Sequence, residues 1–303
     1  MSTRANVLFD APGPRARLRN NILTLLAVVV VLGGAYFAYA KFDEKGQWNP
    51  ILWQHFLEAK TWTDFIIPGL IGTLEAAALG AVFALIFGAL FGLARLSDHR
   101  WIRMPAGVVV ETFRAIPLLL LIFFLFFLAP SVLGSGDYTL AALVAGLTLY
   151  NGSVLAEVVR AGVLAVPRGQ SEAAYAIGLR KSGVMWLILI PQAITAMMPA
   201  IVSQLVVLLK DTALGYIIAY QDLLSMGFQI LPANYFGTRV SSAIVIGIIY
   251  IGLNMALSAL AHWLERRSRR SRKTSARPVA PPSALVGVGT QRNGSSGGLA
   301  GME

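Results

Sequence analysis

The sequence predicts an all-α protein, a polytopic bundle of membrane helices. Six spans are expected, five forming a core and one standing ahead of it, with both termini in the cytoplasm. Three observations lead there. Of 303 residues, 56% are hydrophobic and 13% charged, against about 25% charged in soluble domains. Six segments, at 22–40, 66–94, 106–129, 138–159, 184–209 and 240–264, are apolar over the length a bilayer demands, about 20 residues per helix. Most of the 25 Lys and Arg fall in alternate connections, which are then the cytoplasmic ones.

The elements follow in order. Residues 1–21 form a cytoplasmic tail with Arg4, Arg15, Arg17 and Arg19. The span 22–40 ends in "AYA" (Ala38–Ala40), as a cleaved signal peptide would. Its apolar run exceeds the about 7–15 residues of such peptides, so a retained span is expected. Residues 41–63 make an external loop. Trp48, Trp53 and Trp62, with Ile51, Leu52, Phe56 and Leu57 at near-helical spacing, predict an interfacial helix at headgroup depth.

The core occupies 64–264. Its first span carries Gly69, Gly72, Gly80, Gly88 and Gly92, and the Gly88/Gly92 pair admits a close neighbour. Arg95, Arg100 and Arg103 follow on the cytoplasmic side. Glu111 and Arg114 lie three apart near the cytoplasmic end of the next span, and Glu157 and Arg160 repeat that spacing one span later. Ionisable groups at membrane depth either bridge helices or serve a path or gate. Asn151, Ser153, Ser203 and Gln204 are neutral hydrogen-bonding groups that suit a zwitterion's path or interhelical contact. Lys210 and Asp211 are expected at the outer end of the fifth span, and Asn254 lies within the sixth.

Between two apolar spans stands "SEAAYAIGLRKSGVMWLILIPQA" (Ser171–Ala193). Its polar opening predicts a cytoplasmic helix over about 167–183. Pro167 suits the first turn, Glu172 lies early where the helix dipole favours an anion, and Arg180 and Lys181 lie late. Ala174 and Gly178, four apart, would share a smooth face, and Gly183 would end the helix. Pro191 should kink the span that follows. The basic tail 265–303, rich in Pro, Gly and Ser, reads as disordered and cytoplasmic.

Several classes are excluded. There is no cysteine, hence no thiol chemistry, and His55, His99 and His262 show no metal-ligand spacing. The net charge of +10 is distributed along membrane boundaries, which argues against nucleic acid. No G-x-x-x-x-G-K-[ST] loop is present, so the chain cannot cradle nucleotide phosphates itself. No acid, base and nucleophile cluster suggests a membrane enzyme. A stand-alone secondary transporter or channel is the rival reading, but it would call for midplane carboxylates and repeated halves.

"EAAYAIGLRKSGVMWLILIP" resembles the EAA loop of membrane subunits of ATP-binding-cassette importers, with Glu172, Ala173, Ala174, Gly178, Ile188 and Pro191 matching and Ile190 replacing the usual Leu. "GLIGTLEAAALG", "ETFRAIPLLL", "AEVVRAGVLAVPRGQSEAA" and "PQAITAMMPAIVSQLVVLLKDTAL" are similar to polar-amino-acid permeases over about 64–264. The added span, loop and tail look most like glutamate-type permeases of actinobacteria. The resemblance implies a multi-pass protein of the bacterial inner membrane with no catalysis of its own. It implies a second permease subunit, homologous or identical, and two cytoplasmic ATPases that hold ATP and Mg. It further implies an extracellular binding protein and an amino acid substrate. Glu172, Ala173, Ala174, Gly178, Arg180 and Pro191 would then form the element that couples to the ATPase.

Overall fold

The computed structural model describes residues 13–270; the expectations for 1–12 and for the tail beyond 270 lie outside them. Among the described residues every regular element is helical. The long elements are α1 (Pro14–Glu44), α2 (Ile67–Ala94), α3 (Arg100–Ala115), α4 (Leu118–Leu133) and α5 (Thr139–Leu164). The short α6 (Arg168–Ala176) follows, then α7 (Ile190–Asp211) and α8 (Arg239–Arg270). Among the described residues five helical stretches are long and apolar enough to cross a membrane, or six if the bent pair α3–α4 counts as one span.

The span expected over 106–129 is bent. The chain turns by 102° between α3 and α4. Ile116, at φ −81° and ψ 127°, leaves the helical region because it precedes Pro117. The apolar run is continuous in composition, but its backbone is not.

α5 is the centre of the bundle, packed against α2, α3, α4 and α7. Its most extensive seam is with α2, whose buried residues are nearly all small: Gly72, Ala76, Gly80, Ala84, Gly88 and Gly92. A Cβ on Gly88 would stand 2.6 Å from Leu155 Cβ, and one on Gly92 would stand 2.8 Å from the Ala156 carbonyl oxygen. The close approach expected at Gly88/Gly92 is therefore real. In lipid, where apolar surface gains little by leaving solvent, dispersion across such a seam is a main source of association.

Proline also explains three wide turns. π-helical segments cover Trp62–Ile66, Val184–Leu189 and Met226–Ile230. Each stops two residues short of a proline: Pro68, Pro191 and Pro232. A proline ring collides with the carbonyl four residues earlier and supplies no N–H. Widening that turn moves the carbonyl aside and keeps the helix running.

At the end of the bundle where α2 and α8 begin, the loop from 51 to 61 folds into short helical turns. His55, Phe56 and Thr61 are buried there. The His55 ring stacks on Tyr235 at 4.6 Å, and Ser241 Oγ donates to the Leu52 carbonyl at 2.9 Å. α1 differs from everything else, because it has no buried residue. Stacking of Tyr39 on Trp48 (5.4 Å) and of Trp48 on Trp53 (6.0 Å) ties its far end to this loop.

Candidate functional site: a peripheral helix, a charge bridge and a polar belt

α6 starts at Pro167, whose extended ψ of 131° turns the chain into the helix. It ends earlier than the sequence suggested, at Ala176 rather than near Gly183. The Gly178 N–H donates to the Tyr175 carbonyl (2.9 Å) and the Leu179 N–H to that of Ala174 (3.2 Å). This closing turn needs a left-handed residue, and Gly178 has φ +85°. Gly178 therefore does not share a helix face with Ala174; it terminates the helix. Ala174 is itself buried, and α6 lies along the Val184–Leu189 turn.

What α6 presents outward is Glu172, Ala173 and Tyr175, then Ile177, Gly178 and Arg180, all exposed. Ile177 is 78% exposed, although the segment lies beside polar residues. Pro191 opens α7 directly after the wide turn that supports α6. Lys181 pairs with Asp98 in the α2–α3 connection, and this hydrogen bond holds the Asp98 carboxyl below its ordinary pKa.

The two predicted charge pairs form, at 3.8 Å for Arg114–Glu111 and 2.7 Å for Arg160–Glu157. Sequence reasoning missed what joins them. Arg95, at the end of α2, lies 3.0 Å from Glu111 and 2.9 Å from Glu157. One guanidinium thus links α2, α3 and α5. Local spacing reveals i,i+3 pairs, but nothing in the sequence shows that Arg95 meets carboxylates so distant along the chain. The pairs that use Glu111 are open to solvent on that side and are worth about 0–1 kcal/mol each, whereas Arg95–Glu157 is mostly buried. The geometry positions three helices rather than supplying much stability.

A second polar group lies deeper. Gln204 donates to Asn151 Oδ1 (2.7 Å), and Asn151 donates to Asp211 Oδ2 (3.3 Å). Ser153 is buried apart from them, with its hydroxyl unpartnered among the described residues, and Ser203 is on the exposed side of α7. The Tyr250 hydroxyl donates to the carbonyls of Leu209 (3.3 Å) and Lys210 (3.1 Å). Tyr250 lies midway along the apolar stretch Arg239–Ala261, and Asn151 midway along Thr139–Leu164. Lys210 and Asp211 therefore lie level with the middles of α5 and α8. The chain continues from Asp211 into a 3-10 stretch, Thr212–Ile218, that takes it further across.

Long apolar helices, polar side chains that meet inside the bundle and one short polar helix held outside it are the build of a multi-pass membrane protein. The chain belongs to the family of binding-protein-dependent transport system inner membrane components, whose family model matches residues 80–270. It is 42% identical over 252 residues to the glutamate transport system permease protein GluD of Corynebacterium glutamicum, covering 82% of this chain and 91% of that one. It is 34% identical over 207 residues to the probable glutamine ABC transporter permease protein GlnP of Bacillus subtilis, covering 67% and 93%. Among solved structures, an amino acid ABC transporter crystallised with histidines matches at TM-score 0.63 and 30% identity, over 70% of this chain and 98% of that chain. The inward-facing methionine transporter MetNI shares the fold, at TM-score 0.57 and 18% identity, over 69% of this chain and 99% of that one.

Proposed function

We propose that this chain is the membrane subunit of an ATP-driven importer of a polar amino acid, with glutamate the first substrate to test. The observation that carries the reading is the 42% identity to a glutamate permease across 91% of that protein's length. In this reading two permease subunits, identical or homologous, enclose the path. An extracellular binding protein delivers the amino acid, and two cytoplasmic ATPases supply the work with their own ATP and Mg.

α6 is the coupling element. Exposed Glu172, Ala173 and Tyr175 on α6, with Ile177 and Arg180 in the turn after it, offer an apolar contact flanked by charges of both signs, as a docking element requires. Motion of α6 reaches the bundle by two routes, through the wide turn into α7 and through the Lys181–Asp98 pair into the α2–α3 connection. The Arg95 bridge lies on the second route and gates the cytoplasmic end of the path. Glu111, Arg114, Glu157 and Arg160 act there as a set, while Asn151 and Gln204 belong to the deeper polar belt. The decisive assay is ATP-driven uptake of labelled amino acids by the complete complex in vesicles. Uptake of glutamate is expected; transport of a sugar or peptide with no amino acid would overturn the substrate class.

A further inference from the structure

α3 runs across the end of α2 rather than along it. It opens just after Asp98, which pairs with Lys181 in the turn beyond α6, so it starts at the α6 end of the bundle. Arg103, in its first turn, donates to the Ser97 carbonyl at 3.4 Å, and Glu111, further along, still meets Arg95 at 3.0 Å. Residues 103 and 111 stand about 12 Å apart along a helix that rises about 1.5 Å per residue, yet both reach the same end of α2. The chain then turns by 102° into α4, whose 16 residues include no charge.

Three faces divide α3, at about 100° per residue. Ala106 and Val110 are buried against the bundle. Arg100, Arg103, Gly107, Glu111 and Arg114 follow one another by three or four along a second face. Trp101, Met104, Pro105 and Val108 form a third at the same helical spacing. That third face is an apolar stripe laid open, with Trp101 92% and Val108 65% exposed. An open groove of about 710 Å³ follows it, with Arg100 at one end. On the polar face Glu111 is engaged by Arg95 and Arg114. Arg100 and Arg103 make no ion pair with a described residue.

The surroundings say what covers the stripe. An open apolar patch marks a contact with protein or membrane. This one belongs to a chain already in the bilayer, a tryptophan and two arginines lie together at its start, and the charge left unpaired is positive. A helix so divided lies in the headgroup layer, its apolar side in the acyl boundary and its cations toward lipid phosphate.

We propose that α3 is a membrane-surface helix on the α6 side of the bilayer, with the stripe from Trp101 to Val108 entering the leaflet and Arg100 and Arg103 holding the headgroups of anionic phospholipid. Glu111 rides on the same helix, so the lipid that seats α3 also sets where Arg95 finds its carboxylate. The proposal goes beyond the importer reading and does not depend on it.

The chain has no cysteine, so a nitroxide on a single introduced one reads a single position. In vesicles holding the full-length chain, labels on Met104→Cys and Val108→Cys should collide more with oxygen, which concentrates in lipid, than with a water-soluble nickel chelate. Gly107→Cys, where a Cβ meets nothing within 4 Å, should show the reverse preference. For the headgroups, the full-length chain in detergent is titrated with phosphatidylglycerol and with phosphatidylcholine. Phosphatidylglycerol should bind more tightly, and Arg100→Gln and Arg103→Gln should each weaken it about fivefold. Arg100→Lys with Arg103→Lys should keep most of the binding, since the attraction is to charge. The basic tail is common to every variant, so differences between them report α3.

Any of four results overturns the proposal. Labels at 104 and 108 more open to the chelate than to oxygen would put the stripe in water. Shielding from both reagents would put a protein on it. A label at 107 as open to oxygen as its neighbours would make α3 an ordinary span. Phosphatidylglycerol binding to the chain carrying both Arg100→Gln and Arg103→Gln within about twofold of wild type would remove the arginines from the site.

Discussion

Gly178 shows how one residue can be essential for a reason other than size. A Cβ there would meet nothing within 4 Å, yet the backbone stands at φ +85°. Any bulk is accommodated in space, and the cost is conformational, about 1–2 kcal/mol for an L side chain in the left-handed region. Gly178→Leu is expected to loosen the turn after α6 and lower both ATPase association and uptake. Gly178→Asn, which tolerates that conformation, should stay near wild type. Equal damage from Asn and Leu would show that volume at a contact, not backbone strain, is what matters.

His55 makes a second residue-scale prediction. Burial lowers its pKa from 6.5, against an opposing pull from Glu58. A lowered folded-state pKa means that the folded loop holds the neutral ring. The associated stability is full above the ordinary value and is lost as pH falls through and below it. Acidification from about pH 8 to about pH 5 should speed hydrogen exchange over 51–66, and His55→Gln should flatten that dependence. Protection that is unchanged with pH in the wild type would remove His55 from the account.

At the scale of elements, the wide turn before Pro191 sets the aim of α6. Pro191→Ala restores an N–H and removes the ring, so 184–190 can wind as an ordinary helix. Removing one residue's worth of widening rotates what precedes it by about 100°. The variant is expected to keep or gain thermal stability while losing coupled ATPase activity. Spin labels at Tyr175 and Ile194 should report a changed separation. An unchanged distance with intact coupling would mean that the turn stays wide without its proline.

Much of this scale was legible in the sequence. Apolar length located the helices, glycine spacing located the α2–α5 seam, and i,i+3 spacing located both charge pairs, because each signal is local. The break at Pro117 was locally encoded too, but the unbroken run of Leu, Ile and Phe outweighed it. The end of α6 was misplaced because Gly178 was read for its volume rather than its backbone. The Arg95 bridge and the level of Lys210 were not legible at all. Both depend on which helices meet, and for Lys210 on a chain that runs on beyond Asp211 before it turns back.

For the whole molecule, topology is the property still to be measured. Reporters at residues 98 and 176 are expected to read cytoplasmic, and reporters near 50 and 135 external. The last external connection should be probed at Phe236, which is 99% exposed, rather than near Ser225, which is 2% exposed and packed inside the bundle. A chain beginning at residue 45 should fold its core unaided, since α1 has no buried residue; loss of thermal stability on that truncation would show contacts that the helix lacks here.

The solitude of α1 also bears on how the protein is made. A helix that does not wait for neighbours can settle in the bilayer as soon as it leaves the ribosome, before α2 exists. Arg15, Arg17 and Arg19 stand just ahead of its apolar run, where cations hold a chain end on the side of synthesis. The glycine-lined α2 is then expected to enter from the opposite side, already in the direction its seam with α5 requires. On this account α1 is expected to act before α2 and briefly, setting the sense in which α2 is threaded.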